Sequence, residues 1–274
     1  MIAPSVLVSA VLAGCIAVLV TLAIERWGGL AGGILGTMPS TILPAAAGIY
    51  LAGDEVLFRQ SLAIMPLGML VNGIFLAVWI YLPPQLETVK RPLLSTTVCS
   101  LATWLVFGML MFFGIEYALD YGFSPWGIAS VGLVFIIALA VRMNWNIRET
   151  PKGSEPVAKS VLVLRGSAAA GAIGVAVWLS SQGQPFIAGL AAVFPAIFLT
   201  SMVALWLAQG PTVPRGAAGP MALGGVSVAI YAIIAMYSLP EWGIYIGSAV
   251  AWLGAVFGWS LPAYIVLKSR ITLD

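Results

Sequence analysis

Histidine is absent from this 274-residue chain, and only 8% of its residues carry a charge. Without histidine there is no Ser–His couple, no imidazole base and no His-bearing metal cluster. Neither paired acids nor a phosphate-cradling glycine loop takes its place. The chain is therefore expected not to be an enzyme: no catalytic residue, no metal and no cofactor is called for. Twelve Lys and Arg against ten Asp and Glu leave a net charge of +2, with no basic stripe, so nucleic acid is not an expected partner. The two cysteines, Cys15 and Cys99, both lie inside apolar runs and are expected to be inert small core residues.

What fills the chain instead is apolar. Hydrophobic residues make up 61% of it and the mean hydropathy is +1.05. Successive runs of about 18 to 25 apolar residues match the thickness of a bilayer rather than the needs of a buried core helix. The sequence thus predicts an all-α, polytopic membrane protein. Nine spans are expected, near Ser5–Ile24, Gly28–Ala52, Val56–Leu82, Leu93–Ile115, Pro125–Val141, Ser160–Ser181, Pro185–Ala208, Arg215–Leu239 and Trp242–Leu267. The string Leu-Ala-Gly-Cys ending at Cys15 looks like a lipoprotein processing site. No positive charge precedes it and the apolar run continues past it, so residues 1–24 read as a first span.

Basic residues order these spans. Numbering the loops alternately puts Arg26, Lys90, Arg91, Arg142, Arg148, Lys152, Lys159, Arg165, Arg215, Lys268 and Arg270 on one side, and Arg59 alone on the other. The positive-inside rule then places the N-terminus outside and the C-terminus in the cytoplasm. Acids divide evenly and carry no such bias.

A pattern also recurs at an offset of 156 residues. Gly33 aligns with Gly189, Pro39 with Pro195, Leu51 with Leu207, Arg59 with Arg215, Gly68 with Gly224, Tyr81 with Tyr237 and Pro84 with Pro240. An odd number of crossings separates equivalent spans, so the halves enter the membrane from opposite faces. The expected organisation is an inverted repeat of 4+1+4: residues 1–120 a first four-helix repeat, 121–158 a linker helix and cytoplasmic loop, 159–274 the inverted second repeat.

Each half carries a proline near the middle of its second span. Proline removes a helical hydrogen bond and pushes the preceding residue toward extended backbone. In a bilayer such a break is tolerated only where protein or a water-filled cavity satisfies the freed groups. Paired breaks in matching places point to a transporter's binding site. Expected site residues are therefore Thr37, Pro39, Ser40 and Thr41 in the first half, and Phe194, Pro195, Thr200 and Ser201 in the second. Asn72, an amide deep within the third span, joins them as a helix–helix or solute contact. Arg59 and Arg215 either snorkel to the headgroups or act as vestibule cations recruiting an anion from each face. No Asp, Glu or Lys lies near a span's centre, which disfavours proton coupling.

The segment PFIAGLAAVFPAIFLTSMVALWLAQG, Pro185 to Gly210, resembles a helix of the GlpM-like small bacterial inner-membrane proteins. The resemblance implies two such units fused in opposite orientation, and a bacterial inner (plasma) membrane as the expected location. The first half has Gly-Thr-Met-Pro-Ser-Thr where the second has Ala-Val-Phe-Pro-Ala-Ile, and no functional residue carries over. The function expected is secondary transport of a small solute by alternating access, an anionic or zwitterionic one in preference to a cation. The expected partners are that solute and the lipid bilayer, with a homo-oligomer left open. The alternatives are a non-transporting structural membrane subunit, a channel or a lipid translocase.

Overall fold

A computed structural model describes residues 4–27, 39–40, 42–86, 88–145 and 158–271. Among the described residues every regular element is helical. The chain runs through α1 (Pro4–Trp27), α2 (Ile42–Ala52), α3 (Glu55–Tyr81), α4 (Pro92–Asp120) and α5 (Pro125–Met143). It continues with α6 (Lys159–Ser181), α7 (Pro185–Ala192), α8 (Ala196–Gln209), α9 (Thr212–Ala255) and α10 (Leu261–Ile271). Five stretches are long and apolar enough to cross a membrane: α3, α4, α5, α6, and the continuous run from Thr212 to Arg270. By length and composition this is an integral membrane protein.

Local chemistry sets the boundaries. Asp54 caps α3 by accepting a hydrogen bond from the Leu57 amide at 2.8 Å, which satisfies one of the donors a helix start leaves over. At the α4–α5 corner Gly122 takes φ 84°, Ser124 caps by accepting from the Gly127 amide, and Pro125 occupies the first turn. α9 folds back on itself at Gly243, whose φ of 74° and ψ of 174° suit only glycine. Its two arms, 212–242 and 244–255, are clamped by the Ser238 hydroxyl donating to the Gly247 carbonyl at 2.8 Å. The second arm passes through a π-helical turn, Val256–Ser260, into α10, and the Trp259 indole reaches back to the Leu223 carbonyl at 2.7 Å.

α3 forms the centre of the bundle. Phe58, Leu62, Met65, Phe75, Leu76 and Trp79 are all fully buried on it, and α4, α5, α7 and α9 pack around it. The outer helices face the other way. Leu105 and Leu110 of α4, Val134 and Phe135 of α5, Val163 and Leu164 of α6 and Val266 of α10 are exposed. A soluble monomer does not display so much contiguous apolar surface, and a hydrocarbon environment removes its cost. Cys15 and Cys99 lie on this outer surface. The expectation that they sit in the core is corrected: small size and low polarity suit a lipid-facing position as well.

Two antiparallel crossings tie the second half of the chain to the first. On α1 and α6, a Cβ at Gly174 would lie 3.3 Å from the Ala10 Cβ, one at Gly14 would lie 3.2 Å from the Ala170 Cβ, and one at Gly166 would lie 2.9 Å from the Val18 Cγ2. On α3 and α9, a Cβ at Gly225 would lie 2.7 Å from the Met69 Cε. The Arg215 Nε, at the start of α9, donates to the Ile80 carbonyl near the end of α3 at 2.9 Å. Small residues at both crossings let the backbones approach closely, which is how helices associate when no hydrophobic force separates protein from solvent.

Candidate functional site

The run from Pro185 to Gln209 is broken. α7 stops at Ala192, α8 starts at Ala196, and Val193, Phe194 and Pro195 lie between them. Proline at 195 has no amide to donate, so the helical ladder cannot continue through it. The Phe194 amide turns back to Ala191 at 3.1 Å, and the Ala196 amide closes a tight turn onto the Phe194 carbonyl at 2.7 Å. The Val193 carbonyl is released from the helix and finds a partner elsewhere.

That partner is Asn72. Its Nδ2 donates to the Val193 carbonyl at 2.7 Å, while its Oδ1 accepts from the Trp104 indole Nε1 at 2.8 Å. Asn72 is 2% exposed, so an unpaired carbonyl here would cost about 1–3 kcal/mol. One turn away, Gly68 receives the Val193 side chain: a Cβ there would collide with Val193 Cγ2. Gly189 of α7 lies directly on the backbone of α3, where a Cβ would strike the Ser61 carbonyl. The break is thus held from three sides by α3 and α4. Phe194 is 39% exposed and meets the Trp104 ring edge-on at 5.3 Å, so it lies against α4 rather than facing the bundle interior.

Thr200 and Ser201 follow on α8, both buried. Their hydroxyls donate to their own helix, Thr200 to the Ala196 carbonyl at 2.7 Å and Ser201 to the Ile197 carbonyl at 2.6 Å. Such back-bonding is the usual fate of a hydroxyl within an apolar helix. It leaves them as acceptors only. The acceptor at Ser201 is used by Arg165 of α6, whose Nη2 donates to it at 2.5 Å.

In the first half, Pro39 and Ser40 form a turn, Pro39 buried and Ser40 partly so, and α2 begins just beyond it. Thr37 and Thr41 fall outside the described residues. α2 and α8, with 11 and 14 residues, reach about 16 and 21 Å at 1.5 Å per residue, short of the roughly 30 Å hydrocarbon core.

The two arginines expected as vestibule charges are far apart. Arg59 pairs with Glu55 at 2.5 Å at the start of α3, and Arg215 bonds near its far end, 21 residues or about 31 Å along the axis. Neither touches the break. A cavity of about 220 Å³ lies elsewhere, between Val141, Asn144, Leu223, Trp259 and Arg270, and none of the expected site residues lines it.

Two residues escaped the sequence reading. Trp104 sits mid-span, away from the headgroup zone that tryptophan favours, and that displacement was the available signal. Arg165, grouped with the cytoplasmic charges, lies six residues inside α6 and is 6% exposed. An arginine inside an apolar run was legible as an anomaly. The chain matches no protein-family model, no curated protein and no solved structure.

Proposed function

We propose that this chain is a secondary transporter for a small solute, built as an inverted repeat of nine spans with its site between the two interrupted helices. The observation that carries the reading is the break at Val193–Pro195, buried in a bundle of membrane-length helices. The turn at Pro39–Ser40, 156 residues earlier, supports a second one. Half-helices of this kind place polar backbone at the midplane, where a solute can exchange water for peptide dipoles.

The crossings support the inversion. At the same 156-residue offset the counterpart of Gly14 is Ala170, and these two residues meet each other. On either side Ala10 meets Gly174 and Val18 meets Gly166, so that residues 10 and 18 exchange partners with their own counterparts. Met69 likewise meets its counterpart Gly225. Self-pairing with exchange on either side is what a two-fold axis produces; a repeat related by translation would not produce it. Arg59 and Arg215, at opposite ends of α3, fit the same axis lying in the membrane plane.

One observation favours a second reading, a non-transporting structural subunit. The Val193 carbonyl and side chain are already engaged by Asn72 and Gly68, so the break is braced from within. Solvent access separates the two readings. In a background with Cys15 and Cys99 replaced by alanine, Thr37→Cys and Val193→Cys should react with a small water-soluble thiol reagent applied to either face. Labelling of neither would leave the structural subunit.

A further inference from the structure

Arg165 is the charge in this bundle that local pairing does not explain. It is 6% exposed, lies in the second turn of α6, and among the described residues forms no ion pair. One guanidinium nitrogen, Nη2, is held by Ser201, and Nε has no acceptor among the described residues. Ser201 cannot neutralise the charge. It is a neutral acceptor whose own proton is committed to the Ile197 carbonyl. A buried cation of this kind is destabilising unless an anion joins it, and an ionisable group inside a membrane helix is by default a candidate functional site.

We propose that Arg165 is the anion-recognition residue of the transport site and that the cargo is a small organic monocarboxylate. The inference rests on the transporter reading above. The fork supports the class of ligand. Nε–H and Nη2 share one edge of the planar guanidinium, and a carboxylate meets such an edge with both oxygens. Ser201 fixes the plane of the fork through Nη2, and its location on α8, six residues past Pro195, couples the bound anion to the broken helix. The charge is single. A dianion would bring a second buried negative charge that nothing among the described residues offsets, and a zwitterion would need an acid for its ammonium. The positions 156 residues earlier are Ser9 and Ala45. The first half therefore carries no matching cation, and the site is one per chain and off the two-fold axis.

The test uses the purified full-length protein in detergent, with melting temperature read against acetate, benzoate and inorganic phosphate, each compared with chloride at equal ionic strength. A carboxylate is expected to raise the melting temperature of the wild type in a saturable way, because a ligand that binds only the folded state stabilises it. Arg165→Met should lose this response yet melt, without ligand, at or above the wild-type temperature, since an apolar residue of similar length removes a buried charge. Arg165→Lys, which keeps the charge without the fork, should weaken the response at least tenfold. A response retained in Arg165→Met, a response to phosphate alone, or no response from the wild type would each overturn the proposal. So would an Arg165→Met protein that melts well below the wild type, which marks a structural arginine. Thiol accessibility at Val193, measured separately, reports on the transporter reading whichever way these results fall.

Discussion

Asn72 of α3 donates its side-chain amide to the carbonyl of Val193 at 2.7 Å, across 121 residues of sequence. One side chain thereby satisfies a carbonyl that the break before α8 leaves without a helical partner, and through Oδ1 it holds the Trp104 indole as well. Replacing Asn72 with leucine strands both groups. A buried group without a partner costs about 1–3 kcal/mol, so Asn72→Leu is expected to lower the melting temperature markedly, Trp104→Phe less so. The double variant should cost less than the sum of the two. Full additivity would mean that the three groups do not act as one network.

Gly68 is the seat of the Val193 side chain, and a methyl group placed there collides with it. Overpacking of this sort costs about 1–3 kcal/mol. Gly68→Ala should therefore destabilise the protein, and adding Val193→Ala should recover most of the loss. Failure of the second change to rescue the first would place the strain elsewhere.

The fold-back of α9 depends on Gly243 at φ 74°. Backbone at φ 74° and ψ 174° lies in a region all but confined to glycine, and holding an L-residue there costs roughly 1–3 kcal/mol, with little else changed because a Cβ there meets open space. Gly243→Ala should show a loss of about that size in chemical denaturation. A much larger loss would mean that the hairpin cannot form at all.

Pro195→Ala restores the amide that the helix lacks and allows α7 and α8 to join. Expression and folding are expected to survive, while reactivity of Val193→Cys toward a water-soluble thiol reagent falls. Unchanged reactivity would remove the proline from any role in opening the site.

Opposite ends of α3 should lie on opposite faces of the membrane. In cells lacking Cys15 and Cys99, an impermeant thiol reagent added outside is expected to label Glu55→Cys and to spare Arg215→Cys. A reporter fused after Asp274 should read as cytoplasmic. Labelling of both cysteines from outside would contradict the arrangement.

Much of this was legible in one dimension because a bilayer is a simple solvent. It demands about twenty apolar residues per crossing and forbids unpaired backbone. The runs that became α3, α4, α5 and α6, and the break at Pro195, can accordingly be read from residue type and spacing alone. Glycine and proline mark the corners at Gly122 and Pro125 for equally local reasons.

Partnership was not legible. Nothing in the string says that Asn72 meets Val193, that Ser201 meets Arg165, or that Gly14 lies on Ala170, since these residues are 121, 36 and 156 positions apart. Hydroxyls and amides look alike in a sequence whether they back-bond, brace a break or face a solute. Only packing decides which. The same limit misplaced Cys15 and Cys99, because an apolar run does not record which of its faces turns to protein and which to lipid. Composition and spacing determined that this chain is helical, apolar and interrupted. Tertiary structure decided where its polar groups are consumed, because in a medium without water each must find its partner within the fold.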